Sequence, residues 1–568
     1  MCIRDSTSGG DTSGGDTGGG DTSGGDTGGG DTGGGDTSGD TGSGNTGGGA
    51  TSSVPIGGEG ATGLSPIGTN LVPVTDFTQS TPFVDLMLAA RPFPEQTFAD
   101  IDDVEYDEDG WPIRLNGDRA LTILHMSPTQ QEAYKGDYVV LYDGVGRLEY
   151  ESAATLKSRS PGRDVITFNP VNEADAIFLL VAQIDEQNPI RNIKVLLPGG
   201  ICADDIFVRV NSADECTDSP YLSFEQNHER ILFNPDFLSY VRNFSSLRFM
   251  NWAQVINSRQ VEWSENTPLT DITYSSFGTS KGVPIEVMVS LANLTGVDPW
   301  FTIPHLATDE HIREYAQYIK SALSPELTPY VEYSNEVWNS IYTQYFHAAA
   351  MGLILGLDES EFGANNKYYA RRSVEMFEIW EEVYGDTDSF TRVISSQAVV
   401  QFRSNQILEF EDTYQNVDAL AIGPYFQPFS QCAQNPLLFN SVDDVFQALN
   451  DCREQWGIWV DEQAALAERF GIELIAYEGG QHLVSGNNLR LEEIYNDANR
   501  DPRMAEQFTW HLDRWRAAGG RHFGIFTSPD TYNRFGSFGI KEYITQPRSE
   551  APKYDSLLNW IDANPIWW

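Results

Sequence analysis

The chain has 568 residues, enough for two or three domains and a large hydrophobic core. Acidic residues outnumber basic ones by 82 to 36, which gives a formal net charge of −46 at pH 7. This charge repels phosphate backbones and anionic membrane surfaces, so it argues against nucleic acid and lipid headgroups as partners. No apolar run reaches the roughly 18 residues that a membrane helix needs, and we expect no membrane span.

Residues 1–63 form a low-complexity segment that repeats Gly-Gly-Asp-Thr and close variants from residue 7 onward. Such a composition cannot bury apolar surface, so we expect a disordered, self-repelling tether. The first six residues lack the apolar region of a signal peptide. Cys2 ahead of this spacer resembles the start of a bacterial surface lipoprotein. We therefore expect an extracellular or cell-surface protein, lipid-anchored if a missing N-terminus precedes this one.

Order is predicted to begin in residues 64–92, where a short strand at 68–74 precedes a helical pattern at 82–90. Residues 93–200 then contain closely spaced strands broken by turns, with hardly any helical period. This pattern of short strands and turns predicts a β-sandwich module of about 100 residues. Such a module beside an enzyme often binds carbohydrate, although a structural role fits the sequence equally well.

Residues 201–568 change to alternating strands and helices, the pattern of parallel βα units. Seven strands are predicted from Leu247 onward, at 247–252, 298–305, 330–336, 391–396, 417–425, 473–479 and 522–527. A (β/α)₈ TIM barrel needs one more strand, and the strand at 68–74 supplies it if the β-sandwich is inserted after the first βα unit. We prefer this barrel to an open seven-stranded sheet because closure removes exposed edges. The last residues then form an extension on the barrel exterior.

The cysteines predict disulfides rather than a metal site. Cys202 with Cys216, and Cys432 with Cys452, close short loops outside the predicted strands, which is typical of an exported protein, whereas free thiols are the alternative. No Cys-x-x-Cys spacing indicates zinc, and the eight histidines are scattered. A Gly-x-Gly-x-x-Gly after a strand and a Walker loop are both missing from the sequence. We expect neither a metal nor a cofactor.

Two predicted strands carry a glutamate at their carboxyl end. The fourth barrel strand ends in Ser334-Asn335-Glu336, and the seventh ends in Tyr477-Glu478-Gly479. If strand alternation continues to these tips, both carboxyl groups face the mouth of the barrel. Cleavage of a glycosidic bond needs one carboxyl group to protonate the departing oxygen and a second, ionised one to attack the anomeric carbon. Glu336 and Glu478 are therefore the predicted catalytic pair, against the alternative of structural ion pairs.

These motifs resemble the retaining (β/α)₈ glycoside hydrolases of clan A, which include family 5 cellulases and mannanases. The resemblance covers residues 225 to 545 and depends on strand order as well as on short motifs. It implies that Glu336 is the acid/base, that Glu478 is the nucleophile and that Asn335 hydrogen-bonds the sugar 2-hydroxyl.

The same resemblance implies three supporting residues: Arg248 holds the nucleophile ionised, Tyr425 donates to it, and His305 contacts substrate. Each has a simpler interpretation, since Arg248 could neutralise Glu332, Tyr425 could be a core residue and His305 a hydrogen-bonded loop residue. Other candidates for substrate contact lie at or near strand ends. Trp252, Trp300 and Trp338 are candidate sugar platforms, with a position in the core as the alternative for Trp300, and His482 could contact substrate or only pack.

Some features depart from the pattern of the clan. Gly423 stands where family 5 has a histidine, Phe526 stands where a tryptophan platform is usual, and the inserted module separates the first two strands. These departures indicate a divergent family, so the substrate cannot be carried over.

The prediction for function is a secreted, retaining glycoside hydrolase that cleaves β-linked polysaccharide, with endo action, as a monomer. Glucan, mannan, xylan and galactan all remain open. The alternative is a non-catalytic surface protein that binds polysaccharide on a degenerate barrel.

Overall fold

A computed structural model describes residues 65–93, 104–125, 132–172, 175–278, 281–429, 432 and 439–568. The predicted tether at 1–63, including Cys2, lies outside the described residues. Within the described ranges, no helix is both long and apolar enough to cross a membrane.

Eight parallel strands close into a barrel. In chain order, which is also their order around the barrel, strands 1 to 8 are Ile67–Asn70, Ser246–Arg248, Asp298–Ile303, Tyr330–Tyr333, Thr391–Ser396, Ala419–Ile422, Glu473–Ala476 and Phe523–Ile525. Strand 1 pairs with strand 2 on one side and with strand 8 on the other. The N-terminal strand therefore closes the barrel and leaves it without an edge, and both predictions are confirmed.

Helices of varied length accompany the strands, and the amphipathic ones bury one face against the barrel. They are Phe224–Asn227, Pro235–Val241, Ile285–Thr295, Asp309–Ala322, Thr343–Ile354, Glu361–Tyr384, Gln401–Glu409, Val442–Phe470, Leu489–Arg500, Arg503–Ala517 and Pro552–Ala563. Local signals set their ends. The hydroxyl of Thr308 accepts from the backbone N–H of His311 at one helix start, and Gly385 ends the longest helix between strands 4 and 5 in a left-handed conformation, at φ 82°.

The helix predicted at residues 82–90 is reduced to a 3₁₀ turn over Leu86–Ala89. The preceding residues are extended and pair with distant parts of the chain, since Phe83 bridges Phe233 and Asp85 bridges Leu196. The helical prediction is wrong here because these tertiary backbone hydrogen bonds replace the local ones that a helix would make.

Antiparallel sheets occupy the chain between strands 1 and 2. A four-stranded sheet has the order Arg191–Leu196, Gly136–Asp143, Arg163–Phe168, Ala154–Ser160. A three-stranded sheet has the order Ala120–Leu124, Ile177–Ile184, Gly146–Ser152. Smaller antiparallel sheets join Glu105–Tyr106 to Pro112–Arg114, and Gly200–Cys202 to Asp205–Val210 and Tyr221–Ser223. The packing of the two larger sheets as one β-sandwich, the domain boundaries and a carbohydrate-binding role stay predictions.

Both predicted disulfides are present, Cys202–Cys216 and Cys432–Cys452. The first ties the end of a short strand to the loop that follows the next one. The second links a loop beyond strand 6 to the long helix Val442–Phe470.

Side chains fill the barrel interior. A small cluster separate from the main core consists of Trp300, Val393, Ala419, Ala421, Ile475 and Tyr477. The ring of Trp300 stacks on Tyr330 with a centroid distance of 5.0 Å. The small side chains of strand 6 leave room for these large rings, so the barrel is a packed core with a polar upper end.

Candidate active site

Glu336 is positioned by the loop after strand 4 and not by the strand itself. The strand ends at Tyr333, and Ser334 and Glu336 adopt left-handed backbone conformations with φ of 59° and 42°. The prediction that the strand extends to residue 336 is wrong, and its alternation does not orient Glu336. Each left-handed residue other than glycine costs about 1–2 kcal/mol, which the rest of the fold must offset. Backbone strain at a barrel mouth is typical of a functional site.

The carboxyl group of Glu336 is buried and hydrogen-bonded on both oxygens. Its Oε1 accepts from the hydroxyl of Tyr477 at 3.0 Å, and its Oε2 accepts from the side-chain amide of Asn339 at 2.9 Å. Tyr477 directly follows strand 7, so this contact joins the end of strand 7 to the loop after strand 4. A phenol and an amide, both neutral, therefore hold the Glu336 side chain in place.

Glu478 lies two residues beyond strand 7 and is also buried, with 4% of its surface exposed. Its Oε1 accepts from the Tyr425 hydroxyl at 3.0 Å, and its Oε2 accepts from Nη1 of Arg248 at 3.3 Å. Burial and the nearby charge of Glu336 raise the pKa of Glu478 to about 8, although Arg248 and Tyr425 act in the opposite direction. The two glutamates therefore interact electrostatically in one site.

Arg248 is the cation at the centre of this network. Its Nε and Nη2 donate to Oε2 of Glu332 at 3.1 and 2.9 Å, and Nη2 also donates to Oδ1 of Asn335 at 2.9 Å. Its Nη1 donates to Oδ1 of Asn70 at 3.1 Å and to Glu478. Burial disfavours the charged guanidinium, yet the adjacent Glu332 and Glu478 raise the pKa of Arg248. The two interpretations of Arg248 are compatible, because it contacts both carboxylates.

Tyr425 reaches Glu478 through a short extension of the barrel. After strand 6, Tyr425–Phe426 pairs in parallel with Gly480–Gln481, which follows strand 7. Phe526 and Phe538 contact the Tyr425 ring edge-on at 6.3 and 6.1 Å. The sequence prediction missed Phe538, since a phenylalanine in a long loop carries no signal of its own.

Two of the three predicted sugar platforms are core residues. Trp252 is 2% exposed, packs against Phe83, Phe237 and Phe249, and donates its Nε1 hydrogen to the carbonyl of Val72 at 3.1 Å. Trp300 is fully buried and donates to Oε2 of Glu332 at 3.0 Å. Their burial contradicts the predicted platform role, because neither ring offers a free face.

Trp338 is partly exposed beside Glu336, and its buried Nε1 has no hydrogen-bond partner among the described residues. His305 is 4% exposed, and its buried Nδ1 also has no hydrogen-bond partner in the part of the chain that the structure describes. Burial and the neighbouring His347 lower the pKa of His305 to about 4, so its ring is neutral. Both side chains therefore have a buried polar atom without a partner in the described ranges, just beyond the ends of strands 3 and 4.

The ring of His482 contacts the Tyr425 ring at 5.4 Å, and its Nδ1 lies 3.0 Å from Oε1 of Gln427. Burial lowers the pKa of His482 to about 4, so this ring is also neutral. It therefore adjoins the network through Tyr425.

Four residues of the network were not predicted as site residues: Asn70, Glu332, Asn339 and Tyr477. Asn70 ends strand 1, Tyr477 directly follows strand 7 and Glu332 is an inward position of strand 4, which is a usable signal, whereas Asn339 lies in the loop after strand 4. Many other polar residues share that signal, so only the contacts single these four out. Among the described residues, no cluster of three potential metal ligands forms.

The different positions of Trp252 and Trp338 predict different effects on stability. Trp252→Ala should lower the free energy of unfolding by about 3–5 kcal/mol, because it removes a large buried side chain. Trp338→Ala, the matched control at a partly exposed site, should lower it by less than about 2 kcal/mol. Urea unfolding followed by tryptophan fluorescence measures both values. Equal losses in the two variants would contradict the assignment of Trp252 to the core.

No protein-family model matches the sequence, and no curated protein matches it. Solved structures similar to the chain include the GH51 arabinofuranosidase from Xanthomonas axonopodis pv. citri, with 12% identity and a TM-score of 0.32 over 51% of this chain and 59% of that one. A GH5-4 broad-specificity endoglucanase from Clostridium acetobutylicum has 10% identity and a TM-score of 0.33 over 57% of this chain and 88% of that one. A β-glucosidase from Thermotoga maritima has 12% identity and a TM-score of 0.34 over 58% of this chain and 83% of that one.

These proteins are glycoside hydrolases, and the present chain has a closed parallel barrel of eight strands. The chain spans less than two thirds of the length of the arabinofuranosidase. At such TM-scores the similarities carry no argument about substrate, role or site.

Proposed function

We propose that this protein is a retaining glycoside hydrolase acting on β-linked polysaccharide. The observation that supports it most is the convergence of Glu336 and Glu478, which come from barrel strands far apart in the chain. Tyr477 donates to one glutamate and directly precedes the other in sequence, and the charge of Glu336 raises the pKa of Glu478. Two interacting carboxyl groups at the carboxyl end of a parallel barrel are what glycosidic cleavage needs.

The donors around each carboxyl group suggest which one keeps a proton. Two buried carboxyl groups in one site do not both ionise readily, so near neutral pH the pair holds one proton. Glu478 accepts from the guanidinium of Arg248, and a cation favours the ionised form. Glu336 accepts from a phenol and an amide. We therefore place the proton on Glu336 and the negative charge on Glu478.

With this distribution the pair can perform a double displacement. Glu336 gives its proton to the glycosidic oxygen while a carboxylate oxygen of Glu478 attacks the anomeric carbon, which breaks the bond and leaves a glycosyl ester. Glu336, now ionised, takes a proton from water, and that water releases the sugar from Glu478 with its original configuration. A retaining mechanism of this kind requires the two carboxyl groups to lie about 5–5.5 Å apart.

The supporting residues have roles that follow from their contacts. Arg248 and Tyr425 stabilise the negative charge of the Glu478 carboxylate before it attacks and again when the second step releases it. Oδ1 of Asn335 faces Arg248, which fixes the side-chain amide next to Glu336 for contact with a sugar hydroxyl. His305 and Trp338 lie just beyond the ends of strands 3 and 4, and we assign them to contact with further parts of the sugar chain. Secretion, endo action and a monomeric state belong to the same proposal.

A non-catalytic polysaccharide-binding protein is the second candidate. It is weakened by the strained loop at Glu336 and by the hydrogen-bonded pair of buried glutamates, because binding alone does not require either feature.

The test is hydrolysis of a panel of β-glucan, β-mannan, xylan and galactan, together with aryl β-glycosides. We expect turnover of at least one substrate, internal cleavage seen as a rapid fall in polymer length, and a product that first appears as the β-anomer by proton NMR. An α-anomer as first product would contradict retention. Binding to a polysaccharide without turnover of any substrate would support the second candidate instead.

A further inference from the structure

A third carboxyl group lies inside the network, and the mechanism above does not use it. Glu332 on strand 4 is fully buried. Its Oε2 accepts three hydrogen bonds, two from Arg248 and one from the indole N–H of Trp300. Its Oε1 is buried and has no hydrogen-bond partner among the described residues. Burying a carboxyl group with one bare oxygen is costly, so a structural role alone is a poor explanation for it.

The contacts show what Glu332 does to Arg248. A guanidinium has five N–H donors in a rigid plane, and Arg248 makes five hydrogen bonds with them. The Nε and Nη2 bonds to Glu332 fix the plane of the group. The remaining donors are then directed at Asn335 and Asn70 and at Glu478. Without these two bonds, rotation about the side-chain torsions would move Nη1 away from Glu478.

Glu332 also competes for the charge of Arg248. Its two hydrogen bonds to the guanidinium are 3.1 and 2.9 Å long, whereas the bond to Glu478 is 3.3 Å. Because Glu332 makes the shorter bonds to Arg248, less of the positive charge of Arg248 acts on Glu336 and Glu478, which therefore lie in a more negative environment. The charge of Glu332 acts to raise the pKa of Glu478 in the same direction as the charge of Glu336.

We propose, resting on the proposed function, that Glu332 is a positioning residue that aims Arg248 at Glu478 and Asn335 and draws the charge of that guanidinium away from the catalytic pair. It touches no reacting atom and acts through Arg248. The titratable groups that face this part of the site are Arg248 from strand 2, Glu336 after strand 4, Tyr369 from the helix between strands 4 and 5, Tyr425 after strand 6, and Tyr477 and Glu478 after strand 7.

Glu332→Gln removes the charge of Glu332 while keeping its shape and its hydrogen bonds. The amide oxygen can still accept from Arg248 and Trp300, and the amide nitrogen takes the place of the bare Oε1. Thr302, opposite Glu332 on strand 3, has a buried hydroxyl without a partner among the described residues, which gives that nitrogen a possible acceptor. The substitution removes one negative charge, so the proton of the pair becomes easier to lose.

The expected result is a shift of the pH profile of kcat/KM to lower pH by about one unit, with a maximum value within about tenfold of wild type. Glu332→Leu, which also removes the acceptor, should lower kcat by about 100-fold or more because Arg248 loses two partners and its orientation. The matched control is Glu473→Gln. Glu473 also bonds an arginine, Arg521, but at the opposite end of strand 7, and its removal should not move the profile.

A second measurement does not depend on turnover. In protein labelled with ¹³C at the glutamate side-chain carboxyl, the titration of Glu478 should have a lower midpoint in Glu332→Gln than in wild type. A pH profile of Glu332→Gln that superimposes on wild type, or an unchanged midpoint for Glu478, would overturn the inference. Absence of any turnover by wild type would overturn the proposed function, while the resonances would still decide the role of Glu332.

Discussion

Glu478→Ala is expected to lower kcat/KM for aryl β-glycosides by about 10⁴-fold or more, because it removes the group that attacks the anomeric carbon. The aryl leaving group needs little protonation, so the loss reports the nucleophile rather than the acid. Steady-state release of the aryl alcohol measures it. The side chain is buried in a network of hydrogen bonds, and Glu478→Gln therefore serves as the near-isosteric companion that keeps Tyr425 and Arg248 in contact.

Added azide should restore part of the activity of Glu478→Ala, since a small anion can enter the space that the carboxylate leaves. It would attack the same face of the sugar and yield an α-glycosyl azide from a β-glycoside. Glu473→Gln, at the far end of strand 7, should retain wild-type activity. Wild-type rates in Glu478→Ala would exclude Glu478 as nucleophile.

Glu336→Ala is expected to lower turnover of polysaccharide and other poor leaving groups by about 10²–10⁴-fold, since these reactions need a proton on the departing oxygen. Formation of the glycosyl ester from activated aryl glycosides should be much less affected, and its breakdown should become slow. A burst of aryl alcohol in stopped-flow measurements, followed by a slow steady state, would show this. Added azide should accelerate the slow step and give a β-glycosyl azide.

The pH dependence provides the control for this assignment. The pair must keep one proton to act, and the pKa of Glu478 is raised to about 8 in a site shared with Glu336. As the pH rises through that region the proton is lost, and wild-type activity should therefore fall on the alkaline side. Glu336→Ala should lack this alkaline fall for activated substrates. An unchanged profile and an equal loss for all leaving groups would contradict Glu336 as the acid.

Much of the fold follows from local pattern. Runs of apolar residues alternating with helical periods place seven strands, and counting identifies residues 68–74 as the eighth, which the structure has at Ile67–Asn70. The disulfides follow from the spacing of four cysteines. These predictions succeed because parallel βα units repeat and each one carries its own signal. The helix at 82–90 fails because its backbone pairs with Phe233 and Leu196, and nothing local indicates that pairing.

The candidate site, like the fold, could be predicted only in part. Strand order alone brings Arg248, Tyr425 and Glu478 to one end of the barrel, so their types and positions could be predicted. The direction of each side chain could not. Glu336 depends on a left-handed loop that interrupts strand alternation. Trp252 and Trp300 are aromatic residues near strand ends like Trp338, and only packing separates the buried pair from the partly exposed one.

The sequence by itself determined the barrel, its closure by the N-terminal strand and the presence of a glutamate shortly after strands 4 and 7, because each depends on residue types and spacing along the chain. Tertiary structure alone decided that Glu332 holds Arg248, and that Tyr477 and Asn339 hold Glu336. The physical reason is that these bonds join strands 84 and 141 residues apart, or depend on one loop's torsion angles. Closing the sheet sets the register that makes such distant side chains neighbours.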